Sequence, residues 1–245
     1  MHGKKEWALS SVVPDNQLNP GLTLAIEASN PSCPGAGIAV GSAECWVLGA
    51  ELGREPLLPT DRHDDLIAAI DRLCKRLNIT PNDLSRIAIS TGPGGYTALR
   101  IAVAVTKMLC ETLKAECIAI PTAAAIARRA VAAPTPFAVI LASKDQTAHA
   151  TIYTSPSQQL GEGRLIDAAA IASLNVRALI ADQFLPKAIA EAAAESNIPI
   201  FPPTFDPTAI LELSYQAKPI DPLALTPLYP REPEAVTKWR NRIPK

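Results

Sequence analysis

Few residues in this sequence could do chemistry, and they lie far apart. Glu27 ends the first apolar run, and an acid at a strand end is a common ligand for magnesium. The histidines are His2, His63 and His149. A His-x-x-x-His zinc site needs two imidazoles one helical turn apart, and these three cannot supply it. The sequence therefore predicts no metal site and no metalloprotease activity.

Covalent catalysis has no better candidate. The chain contains no Gly-x-Ser-x-Gly elbow for a nucleophilic serine. Cys110 and Cys117 lie within apolar runs, which is typical of inert packed thiols. The five cysteines are odd in number and widely spaced, so we expect reduced thiols in a cytoplasmic protein. No catalytic residue is predicted.

A glycine-rich turn, residues 92–95, follows a strand-like run and precedes a long apolar helix. Glycines there allow positive φ and close approach of the backbone, and Thr97 is the expected helix cap. The turn does not match the phosphate-binding patterns G-x-x-x-x-G-K-[ST] or G-x-G-x-x-G. The pattern therefore indicates at most a residual nucleotide site of Glu27, Gly94 and Gly95.

The helix predicted at 97–114 is apolar around most of its circumference. Its charged residues are spaced 7, 4 and 3 apart, which places them on one narrow stripe. The apolar surface on either side of this stripe must be buried against another part of the molecule or another molecule. A second helix of the same chain is one candidate, and another protein chain is the other. The charged residues are Arg100, Lys107, Glu111 and Lys114.

The composition is that of a globular protein, with 48% hydrophobic and 19% charged residues. A net charge of −1 gives no general attraction to nucleic acid or to membranes. Residues 1–21 lack the apolar core of a secretory signal, and no apolar run reaches membrane-spanning length. We expect a cytoplasmic protein whose residues 1–21 form a flexible extension.

Hydrophobic periodicity predicts two similar lobes in tandem, each of the order βββαβα. The first lobe is predicted at 22–133 and a second, diverged lobe at 134–218. Residues 219–245 are predicted to be a proline-rich, basic tail. The usual arrangement of such a tail is solvated, with Trp239 packed on the body, and RNA contact is the alternative. The predicted strands are 22–26, 37–40, 45–50, 86–90, 117–120, 137–142, 148–153, 163–166, 178–181 and 198–201, and the predicted helices are 64–77, 97–114, 122–131, 168–174, 186–195 and 209–215.

Four stretches taken together resemble the TsaB (YeaZ) family. They are Leu-Ala-Ile-Glu-Ala-Ser at 24–29, Arg-His-Asp-Asp-Leu at 62–66, Gly-Pro-Gly-Gly-Tyr-Thr-Ala-Leu-Arg-Ile at 92–101 and Pro-Leu-Tyr-Pro-Arg at 227–231. They match, in order and spacing, the family's first strand, a helix start, its Gly-Pro-Gly-Ser-Phe-Thr-Gly-Leu-Arg turn and its C-terminal Pro-x-Tyr-x-Arg. The turn is specific, whereas the other stretches alone would be weak.

The resemblance implies an α/β fold of actin-like (ASKHA, RNase H-like) type, with duplicated lobes. It also implies a non-catalytic partner of TsaD, the enzyme that makes N6-threonylcarbamoyladenosine at position 37 of tRNAs reading ANN codons. A TsaE-like ATPase would join the larger complex, the chain alone would form a homodimer, and tRNA would be contacted mainly indirectly. ATP or ADP would bind only in the assembled complex.

The implied partner interface lies on the first-lobe helices, and the residues expected there are Leu66, Ile70, Tyr96, Arg100, Ile101, Val105 and Met108. The sequence departs from the family pattern at two acidic positions. Glu27 stands where the family usually has Asp, and Leu141-Ala142-Ser143 stands where it has Asp-Ala-Arg. The alternative hypothesis is a stand-alone actin-like phosphotransferase or hydrolase that uses ATP and Glu27.

Overall fold

The computed structural model describes residues 21–30, 36–41, 53–57, 65–231 and 239. The described residues form two five-stranded sheets, each flanked by helices. The strand predicted at 45–50 lies outside the described residues, as do residues 1–20 of the extension predicted at 1–21.

The first sheet has the order β3-β2-β1-β4-β5. Strands β1, β2 and β3 are antiparallel neighbours, while β4 and β5 run parallel to β1. The central strands are apolar on both faces because helices cover both sides. The strands are β1 (Leu22–Glu27), β2 (Gly37–Gly41), β3 (Gly53–Pro56), β4 (Leu84–Ser90) and β5 (Glu116–Ile120).

The second sheet repeats this plan with the order β8-β7-β6-β9-β10. Its first three strands are antiparallel neighbours, and β9 and β10 continue in parallel from β6. The identical order and direction confirm the predicted duplication. The strands are β6 (Phe137–Ala142), β7 (Ala148–Ser155), β8 (Gln158–Ile166), β9 (Ala178–Ala181) and β10 (Ile200–Phe201).

Five α-helices fall close to their predicted positions. They are α1 (Asp65–Leu77), α2 (Tyr96–Leu113), α3 (Thr122–Arg129), α4 (Lys187–Glu195) and α5 (Pro207–Ser214), and the helix predicted at 168–174 is a 3₁₀ segment. The prediction that Thr97 caps α2 was wrong, because the helix begins one residue earlier, at Tyr96, and Gly95 is its N-cap. Thr97 is therefore already inside the first turn.

Two helices each pack against the sheet of the other lobe. Helix α3 follows the first sheet in sequence but packs against β6 and β7 of the second, whereas α5 packs against β1, β2, β4 and β5 of the first sheet. Ion pairs join the two helices: Arg129 contacts Asp206 at 2.7 Å and Glu212 at 2.6 Å, and Arg128 contacts Glu212 at 2.6 Å. This pair of helices links the two halves of the molecule.

Residues 219–231, which we call the strap, are part of the body of the protein, so the prediction of a tail was wrong for them. Ile220 N donates to Cys117 O at 2.9 Å, and Leu228 N donates to Thr91 O at 2.7 Å. Leu225 is 1% exposed and belongs to the core of the first lobe. The strap therefore runs antiparallel along α2, from the end of that helix back to its start. Trp239, predicted to pack on the body, is exposed.

Candidate functional site

Helices α1 and α2 lie on the same face of the first sheet. Helix α1 packs against β2 and β3, and α2 packs against β4 and β5. Their inward-facing residues join one hydrophobic core with the central strands. The outward-facing residues of the two helices form the surface that the sequence singled out for partner binding.

One flank of α1 faces the edge of the sheet. Arg72 and Arg76 each bond to Glu55 of the edge strand β3, at 2.8 Å. Successive helical residues are about 100° apart, so Ile67 lies about 140° and 180° around the helix from these arginines. Ile67 therefore lies on the flank that turns towards α2, and it is 58% exposed.

The flanks of α2 are assigned in the same way. The strap lies along one flank, because Lys107 Nζ donates to Leu223 O at 3.0 Å and the ring of Tyr229 lies 5.3 Å from that of Tyr96. Met108, which is 49% exposed, lies about 100–120° around the helix from Lys107 and Tyr96, on the flank towards α1.

The apolar residues on the outward sides of α1 and α2 are the candidate surface for a partner, which we call the docking patch. Ile101, which is half-buried, and Ala104, which is exposed, lie on α2 between the start of the helix and Met108, and Ile67 is exposed on α1. Exposed apolar side chains that cluster on rigid helices are typical of protein-protein interfaces. The docking patch consists of Ile67, Ile101, Ala104 and Met108.

Three of the residues predicted for the interface need correction. Leu66, Ile70 and Val105 are buried in the core of the chain itself, so they offer no free surface. The prediction was wrong for them because periodicity shows which residues form the apolar face of a helix. It does not show which of those residues pack against the sheet and which face the solvent. Ile67 was missed, although its place one residue beyond the buried Leu66 put it at the edge of that face.

Tyr96 and Arg100 are exposed but lie beside the strap rather than in the docking patch. Arg100 Nη1 donates to the Tyr96 hydroxyl at 2.6 Å, and the guanidinium lies 5.1 Å from the centre of the Tyr96 ring. Tyr229 adds a second ring to this stack. The cluster holds the Arg100 charge in one position at the surface.

Glu27 is fully buried at the end of β1. Its Oε1 accepts hydrogen bonds from Ser29 N at 2.9 Å, Ser29 Oγ at 2.5 Å and Ser90 Oγ at 3.0 Å, while its Oε2 has no partner among the described residues. Burial raises the pKa of the Glu27 carboxyl above its ordinary value of 4.5, which the three hydrogen bonds oppose and the Asp206 charge reinforces. Glu27 thus serves the packing of its own strand end.

Replacing Glu27 with glutamine tests this assignment. Because the pKa of Glu27 is raised in the folded state, wild-type stability should fall as pH rises from 4.5 through the folded-state pKa. Glutamine cannot ionise and still offers an oxygen to the two serines. Over that range, the free energy of unfolding of Glu27→Gln should therefore rise relative to that of the wild type. Urea unfolding at pH 4 to 8 measures the difference, and parallel pH profiles would contradict it.

The glycine turn has a packing role. A Cβ on Gly94 would lie 2.2 Å from Ser29 O, and Gly95 N donates to that same oxygen at 2.7 Å. The turn therefore fits directly against the end of β1, and only glycine permits this approach at position 94.

A cleft of about 410 Å³ opens beside the turn, between the two lobes. Its walls include Leu141, Phe184 and Phe205, and Gly94 and Gly95 lie along one side. Glu27 is not part of its lining. Among the described residues, one carboxylate lines the cleft: Asp182, whose Oδ2 accepts from Asn30 Nδ2 at 2.8 Å. Of the three residues predicted for a nucleotide site, Gly94 and Gly95 therefore line the cleft, whereas Glu27 does not.

Within the described ranges, no group of three or more His, Cys, Asp or Glu side chains is arranged to hold a metal ion. None of the helices in that part of the chain combines the length and apolar content needed to span a bilayer.

Sequence comparison gives the family. The family model described as "TsaD: tRNA N6-adenosine threonylcarbamoyltransferase" matches residues 53–218, more than half of the chain. The chain belongs to the TsaD family. A comparison with curated proteins found no match.

Solved structures similar to this TsaD-family chain show the fold. A crystal structure described as an uncharacterized protein with similarity to peptidase YEAZ from Pseudomonas aeruginosa has a TM-score of 0.65 and 16% identity, covering 86% of this chain and 100% of that one. YeaZ from Pseudomonas aeruginosa has a TM-score of 0.65 and 15% identity, with coverages of 85% and 99%. The predicted YeaZ-like, actin-like duplicated α/β fold is confirmed.

Proposed function

We propose that this chain is a non-catalytic partner subunit of a TsaD-like enzyme, and that the complex makes N6-threonylcarbamoyladenosine at position 37 of tRNAs reading ANN codons. Membership of the TsaD family supports the reaction. The docking patch carries the partner role, because Ile67 and Met108 are exposed on two helices whose inner faces are fixed in the core.

The positions of the acidic residues near the cleft support a non-catalytic role. An actin-like phosphotransferase needs acids facing the cleft to hold magnesium and ATP. Glu27 lies behind the cleft, and Asp182 is bonded to Asn30. The catalytic acids would therefore come from the partner, and ATP or ADP would be held in the assembled complex.

The proposed assembly has further members. A TsaE-like ATPase would join the pair, and tRNA would be held mainly by the other subunits. The chain alone would pair with a second copy through the same docking patch, because an interface of typical size buries about 1,600 Å² and leaves its apolar centre exposed when the partner is absent. With these assignments the chain would act in the cytoplasm, together with the tRNA.

The test is binding to the TsaD-like protein of the same organism, with Met108→Asp as the variant. A charge in the patch should weaken binding by at least about 100-fold, as expected for a hot-spot position. Formation of the modified nucleoside in the reconstituted system should fall in parallel. Met108 is suitable because its side chain is half exposed, so the variant should fold, whereas an aspartate at the buried Val105 would disrupt the core.

Leu160→Asp is the matched control. Leu160 is an exposed apolar residue on β8, in the second lobe, and its replacement should leave binding unchanged. If wild type and Met108→Asp behave alike, the partner role is wrong. The isolated chain should then be assayed for ATP turnover that is lost in Glu27→Ala, which is the result expected of a stand-alone enzyme.

A further inference from the structure

The exposed surface of α2 consists of two lengthwise bands. The docking patch occupies the band next to α1. The other band carries the charged stripe of Arg100, Lys107, Glu111 and Lys114, and its net charge is +2. Lys107 bonds to the strap at Leu223 O, so the charged stripe separates the docking patch from the strap.

The strap carries exposed apolar side chains on the far side of that stripe. Leu223 is 71% exposed, and Leu228 and Tyr229 are also exposed. The backbone beneath Leu223 is fixed at several points: Asp221 Oδ1 accepts from Leu223 N at 2.9 Å, Lys107 holds Leu223 O, and the next-but-one residue, Leu225, is buried in the core. Leu223 is therefore held outwards on a rigid support, unlike a leucine on a mobile loop.

The charge at the N-terminal end of the stripe is equally constrained. Arg100 is held by the hydroxyl and the ring of Tyr96, and Tyr229 of the strap stacks beside Tyr96. Among the residues that the structure describes, no carboxylate bonds to Arg100. A pre-positioned guanidinium with free N–H groups is suited to a carboxylate on another molecule.

We propose that the surface that binds the TsaD-like partner extends across the charged stripe onto the strap, with Leu223 as its second apolar contact. The partner would present acidic side chains to the stripe, between two apolar contacts. This inference rests on the proposed function and adds the recognition chemistry to it.

Electrostatics supports an acidic partner. Covering a stripe of net charge +2 with an apolar or basic surface would remove its cations from water without compensation, which is costly. Acidic groups opposite the stripe would offset that cost and would also exclude partners of the wrong charge. A second copy of this chain would place one basic stripe opposite another, so the surface should favour the TsaD-like partner over self-association.

The test measures the dissociation constant of the full chain with the TsaD-like subunit for Leu223→Ser and Arg100→Glu. Leu223→Ser should weaken binding about tenfold. Arg100→Glu should weaken it by more than tenfold at low salt, with a smaller loss at 0.5 M salt because screening reduces charge interactions. Both side chains are exposed, so thermal unfolding should match the wild type, and Leu160→Ser on the second lobe should bind normally.

The outcomes separate this inference from the proposed function. If Met108→Asp abolishes binding while Leu223→Ser and Arg100→Glu bind like wild type, the strap lies outside the interface and this inference is wrong, although the partner role stands. If all three variants bind like wild type, both are wrong. A graded loss in all three, with salt dependence confined to Arg100→Glu, supports the extended surface.

Discussion

Replacing Leu225 with alanine is expected to lower the free energy of unfolding by about 2–5 kcal/mol, the range for a fully buried leucine. The same replacement at Leu223, two residues earlier, is expected to change it by less than about 0.5 kcal/mol. Leu225 is 1% exposed and packs in the core beneath α2, whereas Leu223 is 71% exposed. The two variants remove identical atoms from the same strap.

Urea unfolding followed by circular dichroism measures both variants under the same conditions. A large loss for Leu225→Ala alone would show that the strap completes the core of the first lobe. Equal, small effects at the two positions would mean that the strap is detached in solution, and the recognition surface proposed for it would then lose its support.

The second large effect is expected for Arg129→Met. Arg129 joins α3 to α5 through Asp206 and Glu212, whose side chains are only 15% and 10% exposed. Removing it leaves two buried carboxylates with fewer partners, although Arg54 still approaches Asp206 and Arg128 still binds Glu212. We expect a loss of about 3 kcal/mol in the free energy of unfolding, since breaking a buried ion pair is costly.

The pH dependence of this loss gives an internal check. Burial alone would raise the pKa of Asp206, but the hydrogen bond from Arg129, with further contributions from Thr208 and Arg54, lowers it below its ordinary value of 3.8. The stability that Asp206 contributes is therefore present above pH 3.8 and lost as pH falls through the folded-state pKa. The difference between wild type and Arg129→Met should shrink on acidification.

Lys187→Met is the control for Arg129→Met. Lys187 and Glu191 form an ion pair on α4 that is largely exposed, and such pairs contribute little to stability. A loss for Arg129→Met no larger than that for Lys187→Met would contradict the view that the ion pairs of α3 and α5 hold the lobes together.

The local sequence pattern predicted most of the strands and helices and their repeated order. Strands β6 and β9 were placed at their observed bounds because short apolar runs between turn residues have few alternatives. The repeated order of strand-like and helix-like segments was enough to indicate the duplication. The start of α2 was misplaced by one residue because Gly95, not the threonine two positions later, occupies the cap.

The strap could not be predicted because nothing local specifies it. It is rich in proline and has no helical or strand periodicity, so its pattern is typical of a tail. Its structure comes from contacts with Thr91 and Cys117, both more than a hundred residues earlier in the chain. The sequence left open which part of the molecule covers the apolar surface of α2. These contacts show that the strap, rather than a second helix, covers the flank of α2 that lies away from α1.

The candidate site was predicted in part for a related reason. Periodicity located Met108 and Ile101 on the correct helix, but their separation from the buried Val105 depends on how far α2 is rotated on the sheet. The periodicity of the helix alone does not specify that rotation. Likewise, the burial of Glu27 depends on Ser29 and Ser90 closing over it.

The strap also has a consequence for the order of events on the ribosome. Lys107 and Leu223, which bond in the folded protein, are 116 residues apart. At about 5–20 residues per second, roughly 6–23 seconds of synthesis separate α2 from the segment that covers it. During that interval the nascent chain exposes the apolar flank of α2, which is the kind of surface that chaperones bind. The docking helix is thus completed only when the strap, more than a hundred residues later, has been made.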